Sequence, residues 1–404
     1  MFAQNSSIIA ALDIGTSKTV VLVAEKGIGG ISIIGIGQSK SIGVSNGVIK
    51  DQKALRSLIS SAVYEAEKMA RRNIDRVAVS FSNPLMCSNS MTIRTNFGGG
   101  QILPSDIKRI KRIVFDRIDM SKNEVLSYNV ISHDLDGIKN VQDPEFMFAN
   151  LLTSYIHIVT IPVQYLVDIG TCLLRCQLKI NQFILSSEAS GNSCLTIEEA
   201  ESGCVLIDMG SGCSDYAVYK GKKIIFCGAV PFGGNAITKD IASYFALSFD
   251  EAEELKIAYG EVKTPHRTEK RFVEIKRENS ADIKQIDLEL LSRVITARVS
   301  EILELIMQKI KEKRQNRSCF NKIVITGGSS QIKAIIPFVE SKYGLGARVG
   351  APNNSILYKN LYENPAFSTV LGLIHGSQFE NNVSFFRRGI TNLKHILSWL
   401  KESL

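Results

Sequence analysis

Along the chain, short apolar runs of strand length alternate with stretches whose apolar residues recur at helical spacing, the pattern of a mixed α/β protein. The clearest runs come as a pair. Residues 8–24 (IIAALDIGTSKTVVLVA) and 205–219 (VLIDMGSGCSDYAVY) each hold an apolar run, an aspartate, a short turn of Gly and hydroxyl residues, and a second apolar run. Both read as strand, tight turn, strand, because their flanks are rich in β-branched residues and of strand length. A third signal, Lys322-Ile323-Val324-Ile325-Thr326-Gly327-Gly328-Ser329-Ser330-Gln331-Ile332, reads as a buried strand feeding a diglycine turn and then a helix.

Elsewhere the spacing predicts a strand at 75–82, a helix starting at Ser105 and Asp106 with Ile107, Ile110, Ile113 and Val114 on its apolar side, and strands at 125–131 and 154–160. Past the second hairpin it predicts helices at 235–245 and 249–258, a charged loop, and a long helix at 288–313. Residues 376–384 are polar and read as a linker. In 385–404, Phe386, Ile390, Leu393, Leu397 and Leu400 share one helical face, with Arg387, Lys394 and Lys401 on one border and Trp399 on the other. A narrow apolar stripe with flanking cations and an interfacial Trp describes a helix lying in a membrane surface. A terminal helix docked on the protein's own core is the other reading of that pattern.

Composition narrows the class. With 404 residues, 45% hydrophobic, 22% charged and 9 Pro, the chain is long enough for two or three domains and is neither disordered nor a disulfide scaffold. The 8 cysteines are scattered; only Cys172 and Cys176 stand one helical turn apart, which favours buried thiols in a reducing cytoplasm over zinc. The N-terminus has no signal-peptide pattern and no apolar run is long enough to span a bilayer. The net charge of +8 invites a nucleic-acid reading until it is located. Residues 105–122 carry six basic and three acidic side chains, 309–317 five and one, and 385–404 four and one, leaving the rest of the chain slightly acidic. Phe115 is the single aromatic of the basic stretch at 105–122, which makes no stacking platform, so no nucleic-acid partner is expected.

The duplicated turns carry the chemistry. In a P-loop or a Rossmann fingerprint the glycines open a helix, whereas here they join two strands. Small residues at Gly15, Thr16 and Ser17, and at Gly210, Ser211, Gly212 and Cys213, let backbone N–H groups approach an anion, and Lys18 offers a point charge to a phosphate. Asp13 and Asp208 end the first strand of each hairpin, suited to Mg²⁺ directly or through water. Gly327, Gly328 and Ser329 give close backbone approach to a flat ligand at a helix start. Either hairpin alone is an ordinary turn; the repeat and the third signal together point to a nucleoside triphosphate gripped between two similar domains.

With these motifs the chain resembles the superfamily of actin, sugar kinases and DnaK-type chaperones. The hairpins are similar to its two phosphate motifs, Gly327-Gly328 to its adenosine motif, and Asn364 to Gly372 to its second connecting segment. Glu253 and Lys256 match a Glu-x-x-Lys that contacts ribose or base there; a solvated i,i+3 ion pair is the other reading. Within that superfamily the chain resembles the FtsA family of bacterial division proteins over essentially its whole length. The residues concerned include Ala11 to Lys18, Leu195-Thr196, Pro231 to Ala242 with Gly234 and Asn235, and Arg348-Val349-Gly350-Ala351-Pro352.

The resemblance implies an actin-like α/β fold of two duplicated domains around a cleft for ATP and Mg²⁺. It implies a first core domain at 1–83 plus 162–190, an inserted small domain at 84–161, a second core domain at 191–226 plus 318–375, and a small subdomain at 227–317. It further implies self-association into filaments, anchoring of FtsZ polymers to an anionic membrane surface at the division site, and recruitment of later division proteins through the insert. The acidic C-terminal peptide of FtsZ would dock on 227–317, with Arg293, Arg298, Lys309 and Lys313 as candidate partners. Departures qualify this picture. Ser211, Cys213 and Ser214 replace a Gly and two Thr of the usual second hairpin, favouring ATP binding with at most slow hydrolysis. Glu188, at the first connecting position, is a candidate base or a structural residue. Asp143-Pro144-Glu145-Phe146 replaces a Gly-containing turn in the insert. A PilM-like pilus-assembly protein, or a small-molecule kinase of the superfamily, are the alternative functions.

Overall fold

The structure, a computed structural model, describes residues 7–27, 30–262, 271–276, 283–313, 320–352 and 363–376. The tail at 385–404, nearly all of the linker and the end of the basic stretch at 309–317 lie outside the described residues.

Two five-stranded sheets repeat one topology. In the first, Gly30–Lys40, Lys18–Gly27 and Ser7–Ile14 form an antiparallel meander, and Arg76–Phe81 and Lys179–Leu185 extend it in parallel. In the second, Lys223–Val230, Ser214–Lys220 and Cys204–Met209 form the meander, extended by Lys322–Thr326 and Gly346–Val349. The duplicated sequence plan is thus a duplicated sheet plan.

The hairpin strands read as nearly continuous apolar runs because both faces of each sheet are covered. Along the first sheet Leu12, Val21 and Val23 pack with Leu55, Ile59 and Ala62 of the helix Gln52–Ala70. The alternate residues Ala11, Val20, Leu22 and Ala24 pack with Val370, Leu371 and Leu373 of the helix Ser368–Gly376. In the second sheet Val205, Ile207 and Ile325 pack against Ile295, Val299 and Ile302 of the helix Leu288–Glu312.

Two helices that follow the last strands of the lobes, Ser186–Cys194 and Ser368–Gly376, cross beneath the space between the sheets. The crossing is close because Gly372 has no side chain: a Cβ there would run into the Ala189 carbonyl. Hydroxyls finish the contact. Ser193 Oγ donates to the Ser368 carbonyl at 2.7 Å, and Thr326 Oγ1 and Ser368 Oγ pair at 2.6 Å.

Between the first lobe's strand Arg76–Phe81 and the helix Val163–Arg175 an antiparallel sheet is inserted, in the order Cys87–Asn96, Leu151–Pro162, Asn123–Leu135, Ile138–Val141. The helix Pro104–Asp116 covers it through Ile110 and Val114. Its start differs from expectation: Leu103 is the cap, Pro104 opens the helix, and the Asp106 carboxylate accepts the Leu103 N–H at 3.0 Å. A Ser at the second helical position has no capping task there. The insert also reaches the second lobe. Lys223 Nζ donates to the Ile131 carbonyl at 3.1 Å and to Gln142 Oε1 at 2.8 Å, and Cys227 N–H donates to Ser88 Oγ at 3.2 Å. Near its outer end Phe146 takes a left-handed φ of 65° and stays 60% exposed, beside Phe148 at 70%.

The helices Gly234–Phe245, Phe249–Tyr259 and Leu288–Glu312 fall where spacing put them. The charged loop between the last two is in part a two-stranded ribbon, Phe272–Lys276 with Ile283–Asp287. It forms because Ile286 is buried, and Val273 and Ile275 pack, against the core of the second lobe.

Gly372→Ala should lower stability by about 1–3 kcal/mol through overpacking at the helix crossing. Gly346→Ala, where a Cβ meets nothing within 4 Å, should change it by less than about 0.5 kcal/mol. Urea unfolding of both variants checks the pair; equal midpoints would remove the crossing from the account.

Candidate functional site

The two hairpins face each other across a cleft of about 550 Å³ between the lobes. In the first, Ile14 pairs with Thr19 and the turn closes on a 3.1 Å hydrogen bond from Gly15 N–H to the Lys18 carbonyl. Asp13, Gly15, Thr16, Ser17 and Lys18 line the cleft.

In the second hairpin Met209 pairs with Ser214, and the turn residues Gly210, Ser211, Gly212 and Cys213 line the opposite wall. The turns touch, Gly212 backing onto the Thr16 side chain. The N-terminus of the helix Gly234–Phe245 is sewn to the second turn: Gly234 N–H donates to the Gly210 carbonyl at 2.9 Å and Asn235 N–H to the Ser211 carbonyl at 2.8 Å. Ser329 Oγ donates to the same Gly210 carbonyl at 3.2 Å, drawing in the diglycine turn. Gly327, at a φ of 84°, lies against the Asp208 carboxylate, where only a glycine combines that backbone with that proximity. Gly328 begins a short 3-10 turn, Gly328–Gln331, and the helix Ile335–Tyr343 comes four residues later, so the expected helix start is displaced from the diglycine.

Carboxylates crowd the floor. Ser80 Oγ donates to Asp13 Oδ1 at 2.6 Å. Asp208 Oδ2 accepts from Ser190 Oγ and, at 3.0 Å, from Thr369 Oγ1, one hydroxyl from each crossing helix. Burial pushes the Asp208 carboxyl up to about 6, with Asp13 adding to the rise, and raises Asp13 above its ordinary value. Burial pulls the Lys18 ammonium down to about 8 against the pull of Asp13 and Asp208, and its Nζ sits 3.3 Å over the Phe367 ring. On the far wall Lys256 Nζ donates to Glu253 at 2.7 Å, to Thr238 Oγ1 at 2.8 Å and to the Gly234 carbonyl at 3.2 Å. With 10% of the Lys256 side chain exposed, this is a cleft-wall network rather than a solvated pair.

Every residue expected to touch a nucleotide, from Asp13 to Ser329 and including Gly234, Asn235, Glu253 and Lys256, lines this one cleft. Glu188 does not line it. Its side chain interacts with Tyr219 and Cys227 under the second sheet, where burial pushes the carboxyl up to about 7, so the candidate base is away from the cleft. Ser82, Ser186 and Asp215 line the cleft and were not expected there. Of the basic side chains considered for a peptide partner, Arg298 is held by Asp240 and Glu301 and Arg293 by Glu289, while Lys309 and Lys313 are exposed. No helix among the described residues is long and apolar enough to cross a membrane.

Two sheets of one topology, facing across a cleft walled by matching glycine hairpins, define an actin-like protein. Solved structures of that fold overlie the chain. The PilM-PilN type IV pilus biogenesis complex gives a TM-score of 0.64 at 14% identity, covering 91% of this chain and 97% of that one. MreB5 of Spiroplasma citri bound to ADP gives 0.52 at 14% identity, covering 93% and 97%. At sequence level, the family model described as "Cell division protein FtsA" matches residues 205–372. FtsA of Rhizobium meliloti is 30% identical over 386 residues, covering 92% of this chain and 87% of its own. FtsA of Neisseria meningitidis serogroup B is 30% identical over 384 residues, covering 94% and 92%. The chain belongs to the FtsA family of cell division proteins.

Because the folded Asp208 carboxyl titrates near 6 instead of its ordinary 3.8, its ionisation opposes folding, and the ligand-free protein loses stability as pH rises between those values. Asp208→Asn keeps an acceptor for Ser190 and Thr369. It should therefore stabilise the ligand-free chain at pH 7 by about 1–3 kcal/mol, the gain fading toward pH 4. Denaturant titrations at the two pH values check this; a loss of stability at pH 7 would contradict it.

Proposed function

We propose that this cell division protein binds ATP in the cleft, self-associates into filaments, and anchors FtsZ polymers to the cytoplasmic face of the cell membrane at the division site through residues 385–404. The observation that carries the nucleotide reading is the convergence on one cleft of both hairpin turns, Lys18 and the diglycine turn. Turn amides and hydroxyls would hold the phosphates, and Lys18 would leave its ring contact for a phosphate oxygen. Glu253, Lys256 and Gly327–Ser329 would flank ribose and base.

Asp13 and Asp208 fit Mg²⁺. The Asp13 charge adds to the cost of ionising Asp208, which a cation relieves, and each already has one oxygen fixed by hydroxyl donation, from Ser80 on Asp13 and from Ser190 and Thr369 on Asp208. Among the described residues no set of three His, Cys, Asp or Glu side chains is placed to hold a metal, so water and phosphate oxygens would complete the shell. When bound, the ion would neutralise phosphate charge.

One interfacial helix binds a membrane weakly, and many held in a row bind it firmly, so filament formation and attachment through 385–404 reinforce each other. Residues 227–317 would receive the FtsZ tail, with exposed Lys309 and Lys313 better placed than Arg298. The inserted unit, 84–161, would serve later division proteins. A pilus-assembly role draws on fold likeness alone and gives no reason for the amphipathic tail.

With ATP and anionic liposomes, the full chain should pellet with the vesicles, and removal of 385–404 should cut the bound fraction by about tenfold or more. Equal pelleting of both chains would refute the anchor. An immobilised FtsZ C-terminal peptide should capture the protein less well as salt rises from about 0.05 to 0.5 M; no capture at low salt would remove that partner.

A further inference from the structure

Away from the cleft, two thiols share a setting that the nucleotide reading does not use. Cys172, on the helix Val163–Arg175, and Cys176, its C-cap, stand one turn apart over the seam with the helix Gln52–Ala70, and neither lines the cleft. Their partners form one row along that second helix, at positions 52, 56 and 60. Cys172 Sγ lies 3.9 Å from the Gln52 carbonyl, Cys176 Sγ lies 3.6 Å from the Arg56 carbonyl, and Ser60 Oγ donates to Cys176 Sγ at 3.6 Å. Cys172 is buried, whereas Cys176 is half-buried and within reach of a small solute.

The two sulfurs are unequal. The Cys172 thiol donates to Cys176 and, with the Ser60 hydroxyl and the Arg56 guanidinium, holds the Cys176 thiol below its ordinary range against burial; the same hydrogen bond, with burial, raises Cys172. The charges acting on the pair are Arg56 across the seam and Arg175 beside the cap. Burial instead raises the thiols of Cys194, Cys204, Cys213 and Cys227. A reactive thiolate needs a donor, a cation and access together, and Cys176 combines all three. Among the described residues no third His, Cys, Asp or Glu joins the pair, so it lacks the ligand set of a structural metal site.

The helix end also lets the sulfurs close on each other. In mid-helix, Cβ atoms four residues apart stand about 5–6 Å from each other, where a disulfide needs about 4 Å. Cys176 has left the regular helix: its N–H donates to the Leu173 carbonyl, and Gln177 follows at a left-handed φ of 62°. The cap residue can therefore turn inward without unwinding the helix behind it. We propose that Cys176 is an oxidative modification site, a thiolate nucleophile toward hydroperoxides, and that Cys172 resolves its oxidised form as a disulfide. The Cys176 thiolate attacks one oxygen of hydrogen peroxide; the S–O bond forms as the O–O bond breaks, sulfur is oxidised to a sulfenic acid, and the hydroxide that leaves is protonated by solvent. The Cys172 sulfur then attacks the sulfenic sulfur, the S–S bond forms as the S–O bond breaks, and the departing hydroxide takes the Cys172 proton as water. The disulfide removes the thiolate that Ser60 and Arg56 stabilise, and so loosens the helix end from its row of partners.

The test uses the full chain, reduced and then freed of reductant. At pH 6 iodoacetamide should label Cys176 about tenfold faster than the exposed Cys87, and Ser60→Ala should slow that labelling about threefold, with Ser60→Thr restoring it. Hydrogen peroxide should join the tryptic peptide that ends at Arg175 to the one that begins at Cys176, a link that dithiothreitol removes. In Cys172→Ser, dimedone should instead trap a sulfenic acid on Cys176. Equal labelling of Cys176 and Cys87, or peroxide oxidation that comes first at another cysteine, would overturn the proposal. A wild-type chain that accumulates the dimedone adduct on Cys176 without forming the link would overturn the part given to Cys172.

Discussion

The Asp208 carboxylate is where the protein is tied together. It ends the first strand of the second hairpin, and its Oδ2 takes hydroxyl hydrogen bonds from Ser190 and Thr369, which belong to the two helices that cross beneath the cleft. Those helices meet at Gly372, and one of them also packs under the first sheet. One acidic group thus registers both lobes against their shared support. Were it moved, the turn at 210–213, the helix start at Gly234 and the diglycine turn would lose their common reference, because the last two are bonded to the Gly210 carbonyl two residues on.

That arrangement places charge where it is costly. Asp13 adds to the ionisation cost of Asp208, both add to that of Asp215, and the Lys18 ammonium offsets the charge on Asp13 and Asp208. The ligand-free site is therefore electrostatically unfinished, while its backbone is rigidly held by turn and helix-end hydrogen bonds. A site of that kind gains by binding a cation with its anion, and needs little rearrangement to do so. In the second turn Cys213 is buried and lines the cleft beside Gly210, Ser211 and Gly212.

What was legible in the sequence was what chemistry writes locally. A hairpin with β-branched flanks and a Gly/hydroxyl turn announces itself within a dozen residues, and its duplication gave both sheets. The cleft lining followed, since each contributing motif is contiguous. Contacts assembled by tertiary folding were not legible: Ser82 meets Asp215 across the lobes, and neither residue's surroundings mark the meeting. Of the two readings of Glu188, base or structural residue, its buried place off the cleft fits the structural one, for a related reason. A helix residue faces whichever side the crossing angle allows, and the close approach at Gly372 turns Ser190 toward Asp208 and Glu188 toward Tyr219. The start of the helix Pro104–Asp116 was misread because Asp106 caps backward to Leu103, a task no side chain at Leu103 suggests. The ribbon Phe272–Lys276 with Ile283–Asp287 hid because its apolar side packs on the lobe while charged residues interleave with it.

The inserted sheet is covalently rooted in the first lobe, yet Lys223 and Cys227 bond its strands to the edge of the second. It is a brace with feet on two bodies. Any rotation of one lobe against the other must either shear those hydrogen bonds or carry the insert along, swinging its outer end with the exposed Phe146 and Phe148. The width of the cleft is thereby geared to the heading of the inserted sheet.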